Sequence, residues 1–159
     1  MRKDKYNMAT KHTKVETKYY LVFCGIIIAI TFLFCLSYAI DNGPLITYEK
    51  ELLSYINQYR IKNGLDQIYF DITLGETAEI HSKYMSKKNE LSHASFGDRF
   101  KKSRRSLCVE NIGWNYMKPE AQFRAWKKSI GHNKNMLNEQ IKRAGISKVG
   151  SYVTFFACD

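Results

Sequence analysis

The sequence predicts an α+β domain of packed layers, carried behind a single transmembrane helix. Three observations predict it. Residues 19–40 form an uncharged apolar run of 22 residues, and a helix of about 20 residues spans a hydrocarbon core of roughly 30 Å. Beyond it, three stretches between Tyr48 and Ile130 carry apolar residues three and four apart, the spacing of helices with one buried face. The chain then ends in two β-rich stretches around Gly150-Ser151, a hairpin signal. Helices and strands interspersed, with a hairpin at the end, imply an α+β layered arrangement.

The N-terminal elements set the topology. Residues 1–18 are a basic tail, with Arg2, Lys3, Lys5, Lys11, Lys14 and Lys18 against Asp4 and Glu16. After the apolar run comes Asp41, and no base until Lys50. Positive flanks stay in the cytoplasm. Residues 41–159 are therefore expected outside the cell as one domain, large enough to bury a core, on a single-pass anchor in the cell membrane. The run is longer and bulkier than the core of a typical signal peptide. The alternative is secretion after cleavage near Ala39, where Ser37-Tyr38-Ala39 supplies small residues. Phe34, in front of Cys35, argues against a lipoprotein.

Asn42-Gly43-Pro44 reads as a short linker. A first helix is expected from Tyr48 to Asn63, with Glu49 and Glu51 at its positive end and Leu52, Leu53, Ile56 and Tyr59 as its apolar stripe. Asn63-Gly64 closes it. Thr73-Leu-Gly-Glu76 reads as a capping box that opens a second helix to Asn89. Its inner face is Leu74, Ala78, His81 and Met85. Residues 91–107 read as irregular and polar. Cys108 to Trp114 alternates as a strand. Pro119 suits the first position of a third helix, with Phe123, Trp126 and Ile130 buried and Gly131 at its end. Asn133 to Asn138 adds a further helical turn. Ile141–Val149 and Tyr152–Cys158 are the closing strands.

Charge and cysteine content exclude several classes. The external part holds nineteen of the chain's 25 bases and thirteen of its 15 acids. It is basic, but its aromatic residues are spread through apolar stretches, and an external domain does not meet DNA or RNA; no nucleic-acid partner is expected. The cysteines have no zinc-ribbon or CxxC spacing. Cys24 and Cys35 fall in the apolar run and read as small apolar residues of a membrane helix. Cys108 and Cys158 flank strands in an oxidising compartment. They are expected to pair as a disulfide closing a loop of about 50 residues, which the chain-entropy account values at roughly 3–4 kcal/mol.

Four stretches resemble a known family. Asn57-Gln-Tyr-Arg60 with Asn63-Gly64-Leu65 is similar to an opening helix and turn of the bacterial CAP superfamily (cysteine-rich secretory, antigen 5, pathogenesis-related 1; SCP-like extracellular proteins). Leu74, Ala78 and Met85 match its second helix, Glu110-Asn111-Ile112 its Glu-Asn-Ile/Leu motif, and Trp126-x-x-Ser129-x-x-His132 its Trp-x-x-Ser-x-x-His block. The order and spacing of the four carry the resemblance across most of the external domain. It implies a CAP-like α-β-α sandwich with a central cleft. By motif, His93, Glu110 and His132 resemble two histidines and one glutamate of that cleft. Where the family often has a second glutamate, this chain has Ser129, which puts any mechanism needing two carboxylates in doubt.

Two neutral imidazoles and a carboxylate are ligands that zinc accepts, with a fourth position left for water. His93, Glu110 and His132 are therefore the candidate metal ligands, and zinc the candidate cofactor. The competing reading is a hydrogen-bonded network that pins loops across the core. A triad of Ser129, His132 and Glu110 is disfavoured, because no Gly-x-Ser-x-Gly elbow is present. His81 reads as a packed histidine. The basic run from Asp98 to Arg105 reads either as a solvated loop or as a contact for anionic cell-wall polymer or lipid headgroups. Three function classes follow. The favoured one is a cell-surface binding module whose cleft holds a metal, a lipid or a peptide. The others are a hydrolase of peptides or wall material, and a structural protein with an inert cleft.

Overall fold

The computed structural model describes residues 26–28, 30, 31 and 47–159. The expected membrane span at 19–40 and the cleavage position near Ala39 lie almost wholly outside the described residues. Residues 26–28, 30 and 31 are helical.

The domain contains α1 (Tyr48–Lys62), β1 (Tyr69–Phe70), α2 (Ile72–Lys88), α3 (Phe96–Ser103), β2 (Cys108–Trp114), α4 (Pro119–Lys128), α5 (Ile130–Met136), β3 (Arg143–Val149) and β4 (Tyr152–Cys158). The four strands form one sheet in the order β1-β3-β4-β2. Only β1 with β3 is parallel; β2 and β3 both run antiparallel to β4. Every residue of the central β4 is buried. Its alternation supplies two cores, because successive side chains face opposite ways. Val153, Phe155 and Ala157 join Leu52, Ile56 and Trp126 from α1 and α4. Phe156 and Cys158 join Leu74 and Ala78 from α2. Helices therefore cover both faces of a mixed sheet. On the α2 face the approach is close enough to need glycine. A Cβ on Gly145 would come within 2.0 Å of the backbone of Leu74 and Gly75.

Four local expectations need correction. Asp71 caps α2, accepting from the N–H groups of Thr73 and Leu74 at 2.9 and 3.2 Å. The cap thus lies two residues before Thr73, because the Asp71 carboxylate already takes the first free amides. The segment read as irregular contains the eight-residue α3. Phe96 and Phe100, one turn apart, stack at 6.4 Å, and Phe96 meets Phe156 edge-on; packing rather than propensity holds this helix. The third helix ends at Ser129, whose backbone is extended (ψ 122°), and Gly131 lies inside α5. Ile130 is consequently turned out and exposed, off the face that buries Trp126. Last, β1 is a strand that its two exposed residues did not announce.

Strand β2 is an outer strand, and helix side chains satisfy two of its carbonyls. Trp126 Nε1 donates to Ile112 O at 2.8 Å, and Asn135 Nδ2 donates to Glu110 O at 3.0 Å. Cys108 and Cys158 face each other across the β2–β4 pair with Cα atoms 4.1 Å apart and are joined by a disulfide.

Candidate functional site

Glu110 is the centre of the site. Strand alternation turns its side chain to the α2–α3 side, between Cys108 and Ile112, where it is buried. Arg99 of α3 meets it in a fork. Arg99 Nε donates to Oε2 and Nη2 to Oε1, both at 2.8 Å, while Nη1 donates to Ala94 O at 2.7 Å. His93 Nδ1 donates to Oε1 at 2.9 Å. An ionised carboxylate only accepts, so Nδ1 carries a proton. Burial disfavours the Glu110 anion, but the hydrogen bonds from His93 and Arg99, with the charge of Arg99, outweigh it and hold its pKa below the usual value.

His81 of α2 lies behind this pair. It is buried, its Nε2 donates to Ser92 O at 2.8 Å, and the same nitrogen is 3.8 Å from Glu110 Oε1. Burial lowers its pKa, and Arg99 and His93 add to this against the pull of Glu110. It is the packed histidine its helical position suggested.

His132 enters from α5, on the other side of β2. Asn111 Nδ2 donates to His132 O at 3.0 Å, and the ring lies 6.3 Å from that of Trp126. Burial lowers its pKa, and the nearby His93 lowers it further. Asn135, three residues on, donates to both Glu110 O and Asn111 Oδ1. His93, Phe96, Cys108, Val109, Glu110 and Asn135 line an open cleft of about 390 Å³.

The structure thus brings His93 and Glu110 into contact and sets His132 close enough for His93 to influence its charge. It does not bring Ser129 in. That residue joins α4 to α5, and among the described residues its hydroxyl bonds to neither histidine nor to Glu110. As a three-ligand metal set, the residues do not fit. Both oxygens of Glu110 are engaged, and the guanidinium against them would repel a cation. Among the described residues no group of three or more His, Cys, Asp or Glu side chains could hold an ion.

Sequence reasoning missed Arg99, Asn111 and Asn135. Arg99 was hidden in the basic run, yet it stands between Phe96 and Phe100, the spacing of one buried turn. Asn111 stood inside the Glu-Asn-Ile motif without a role. The basic run is not one solvated loop, since Arg99 is buried while Lys101, Lys102 and Arg104 face solvent.

The buried titrating groups act in one direction. Glu110, with its pKa lowered, stabilises the fold above the ordinary carboxylate pKa, and that stability is lost as pH falls through the lowered value. His81 and His132 are held neutral, so their environment favours folding above about pH 6.5 and opposes it increasingly below. The melting temperature should therefore fall as pH drops from about 7 to about 5, the window in which free imidazoles gain protons. His81→Gln should flatten that fall. A melting temperature constant through this window would show that neither imidazole is held neutral.

Comparison with known proteins returns consistent matches. A family model described as the cysteine-rich secretory protein family, CAP, matches residues 53–159. Two proteins of Bacillus subtilis (strain 168) are similar. One is the uncharacterized membrane protein YlbC, 33% identical over 115 residues, covering 68% of this chain and 33% of that protein. The other is the uncharacterized protein YkwD, 33% identical over 111 residues, covering 65% of this chain and 43% of that one. Among solved structures, an extracellular protein containing an SCP domain from Bacillus anthracis str. Ames superposes with a TM-score of 0.66 at 28% identity, covering 70% of this chain and 40% of that chain. The chain spans less than half the length of each of these three.

Proposed function

The chain belongs to the cysteine-rich secretory protein (CAP) family, and on that premise we propose that it is a membrane-anchored binding module displayed outside the cell, not a hydrolase. One observation carries this reading: both oxygens of the Glu110 carboxylate are engaged, in three hydrogen bonds from Arg99 and His93. A general base works best with a pKa near the operating pH, and the Arg99 and His93 hydrogen bonds hold the Glu110 pKa below the usual carboxylate value. Ser129 lacks a hydrogen bond to a base, so no activated nucleophile stands in the cleft. The groups left for a ligand are Nε2 of His93, the His132 ring and the exposed bases Lys101, Lys102 and Arg104 of α3 and its end. These suit an anionic extracellular polymer passing over an open cleft. Extracellular and membrane relatives support the location.

The test incubates the full chain, in detergent, with purified anionic cell-wall polymer. Expected are co-sedimentation that salt weakens, loss of binding in Lys101→Ala/Lys102→Ala, and no release of soluble fragments. Fragment release abolished by His93→Ala would overturn the reading in favour of a hydrolase. Zinc held by His93 and His132 alone is a second reading, favoured by the burial that keeps His132 neutral. Calorimetry with zinc should then show weak binding that both His93→Ala and His132→Ala remove. Equal isotherms in all three would dismiss it.

A further inference from the structure

Several features meet at the end of the domain where β2 finishes. The loop between β2 and α4 exposes Trp114, Tyr116 and Met117 in near succession, with Trp114 52% and Met117 72% exposed. The loop is held firmly. Asn115, at φ 64°, donates its N–H to Ser151 O at 2.8 Å, and Tyr48 Oη donates to Tyr116 O at 3.1 Å. These bonds join the loop to the β3–β4 turn and to the first turn of α1. Lysines lie on the same segments: Lys118 ends the loop and Lys50 sits in the first turn of α1, both exposed, while Lys148 Nζ lies 5.5 Å from the centre of the Tyr48 ring and donates to Gly150 O.

The same end holds the point where the chain enters the domain. Thr47 caps α1 there. Only residues 41–46 separate it from the apolar run at 19–40, a reach of at most about 25 Å when extended. A near-contiguous run of exposed Trp, Tyr and Met marks an interaction surface more than scattered apolar side chains do. Tryptophan and tyrosine with lysine nearby are the residues that settle at the level of lipid headgroups.

We propose that this end is a lipid-facing surface. Trp114 and Met117 enter the headgroup layer of the membrane that anchors the chain, and Lys50, Lys118 and Lys148 meet lipid phosphates. The proposal rests on the anchored reading of residues 19–40. It also orients the cleft. Glu110 lies four residues before Trp114 on β2, a rise of about 14 Å, so docking at Trp114 turns the cleft end of the strand away from the bilayer.

The chain contains two tryptophans, and Trp126, only 1% exposed, serves as an internal reference. The full chain is reconstituted into phosphatidylglycerol–phosphatidylethanolamine vesicles containing a spin-labelled lipid that quenches at headgroup depth. Expected are flotation with the vesicles and loss of the Trp114 share of the emission, a loss absent from Trp114→Phe. Flotation without quenching, or equal quenching in Trp114→Phe, overturns the lipid-facing surface while leaving the anchor intact. Failure to float overturns the anchored reading and the surface with it.

Discussion

Arg99→Ala is expected to destabilise the domain by about 3–5 kcal/mol, the range for removing one partner of a buried ion pair. The loss comes less from a missing attraction than from what remains. Glu110 keeps its negative charge in a buried position and loses the two-point fork that held it. This gives a second, more specific signature. Without Arg99, burial pushes the Glu110 pKa up, so the variant is penalised above that pKa and relieved below it. The gap between wild type and variant should therefore narrow as pH falls, and Arg99→Ala/Glu110→Gln should recover part of the loss at neutral pH. Urea denaturation at several pH values checks both. An unchanged midpoint at neutral pH would mean that the pair contributes as little as an exposed one.

Trp126→Ala should have an effect of similar size, about 3–5 kcal/mol for truncating a large core aromatic. The side chain packs against Phe155 with ring centres 6.1 Å apart, and it belongs to the larger of the two main cores. It also donates to Ile112 O, so truncation strands that carbonyl. Trp126→Phe separates the two contributions. It retains most of the ring and loses the donor, and should cost about 1–3 kcal/mol, the range for an unsatisfied buried group. Equal losses in the two variants would assign the whole effect to the hydrogen bond. Thermal and urea unfolding of both provide the measurement.

The regular elements were legible because their signals are local. Cys108–Trp114 and Tyr152–Cys158 have the same bounds in sequence and structure, and α1 agrees to within a residue. In α2, Leu74, Ala78, His81 and Met85 repeat on one face, and all four are buried. What escaped is made by contacts between distant segments. Helix α3 exists because Phe96 meets Phe156 and Arg99 meets Glu110, and neither partner is near in sequence. Arg60 stood outside the expected apolar stripe of α1. It is buried, and donates to Met136 O and Asn138 O at the end of α5. The site was legible as residue types but not as wiring. His93, Glu110 and His132 could be named from their resemblance to the family's motifs, whereas the engagement of Glu110 by an arginine eleven residues upstream could not.

The treatment of the two outermost strands has a consequence for crowding. An open sheet margin invites the same strand of a neighbouring molecule to pair with it, the route to swapped dimers and fibrils. One margin here is β1, only two residues long and too short to template a partner. The other is β2, seven residues long and the natural place for such growth. Trp126 and Asn135 already occupy two of its carbonyls, those of Ile112 and Glu110. On the anchored reading proposed above, copies on one membrane surface would meet at high local concentration, and these two side chains would hinder strand-to-strand growth between them.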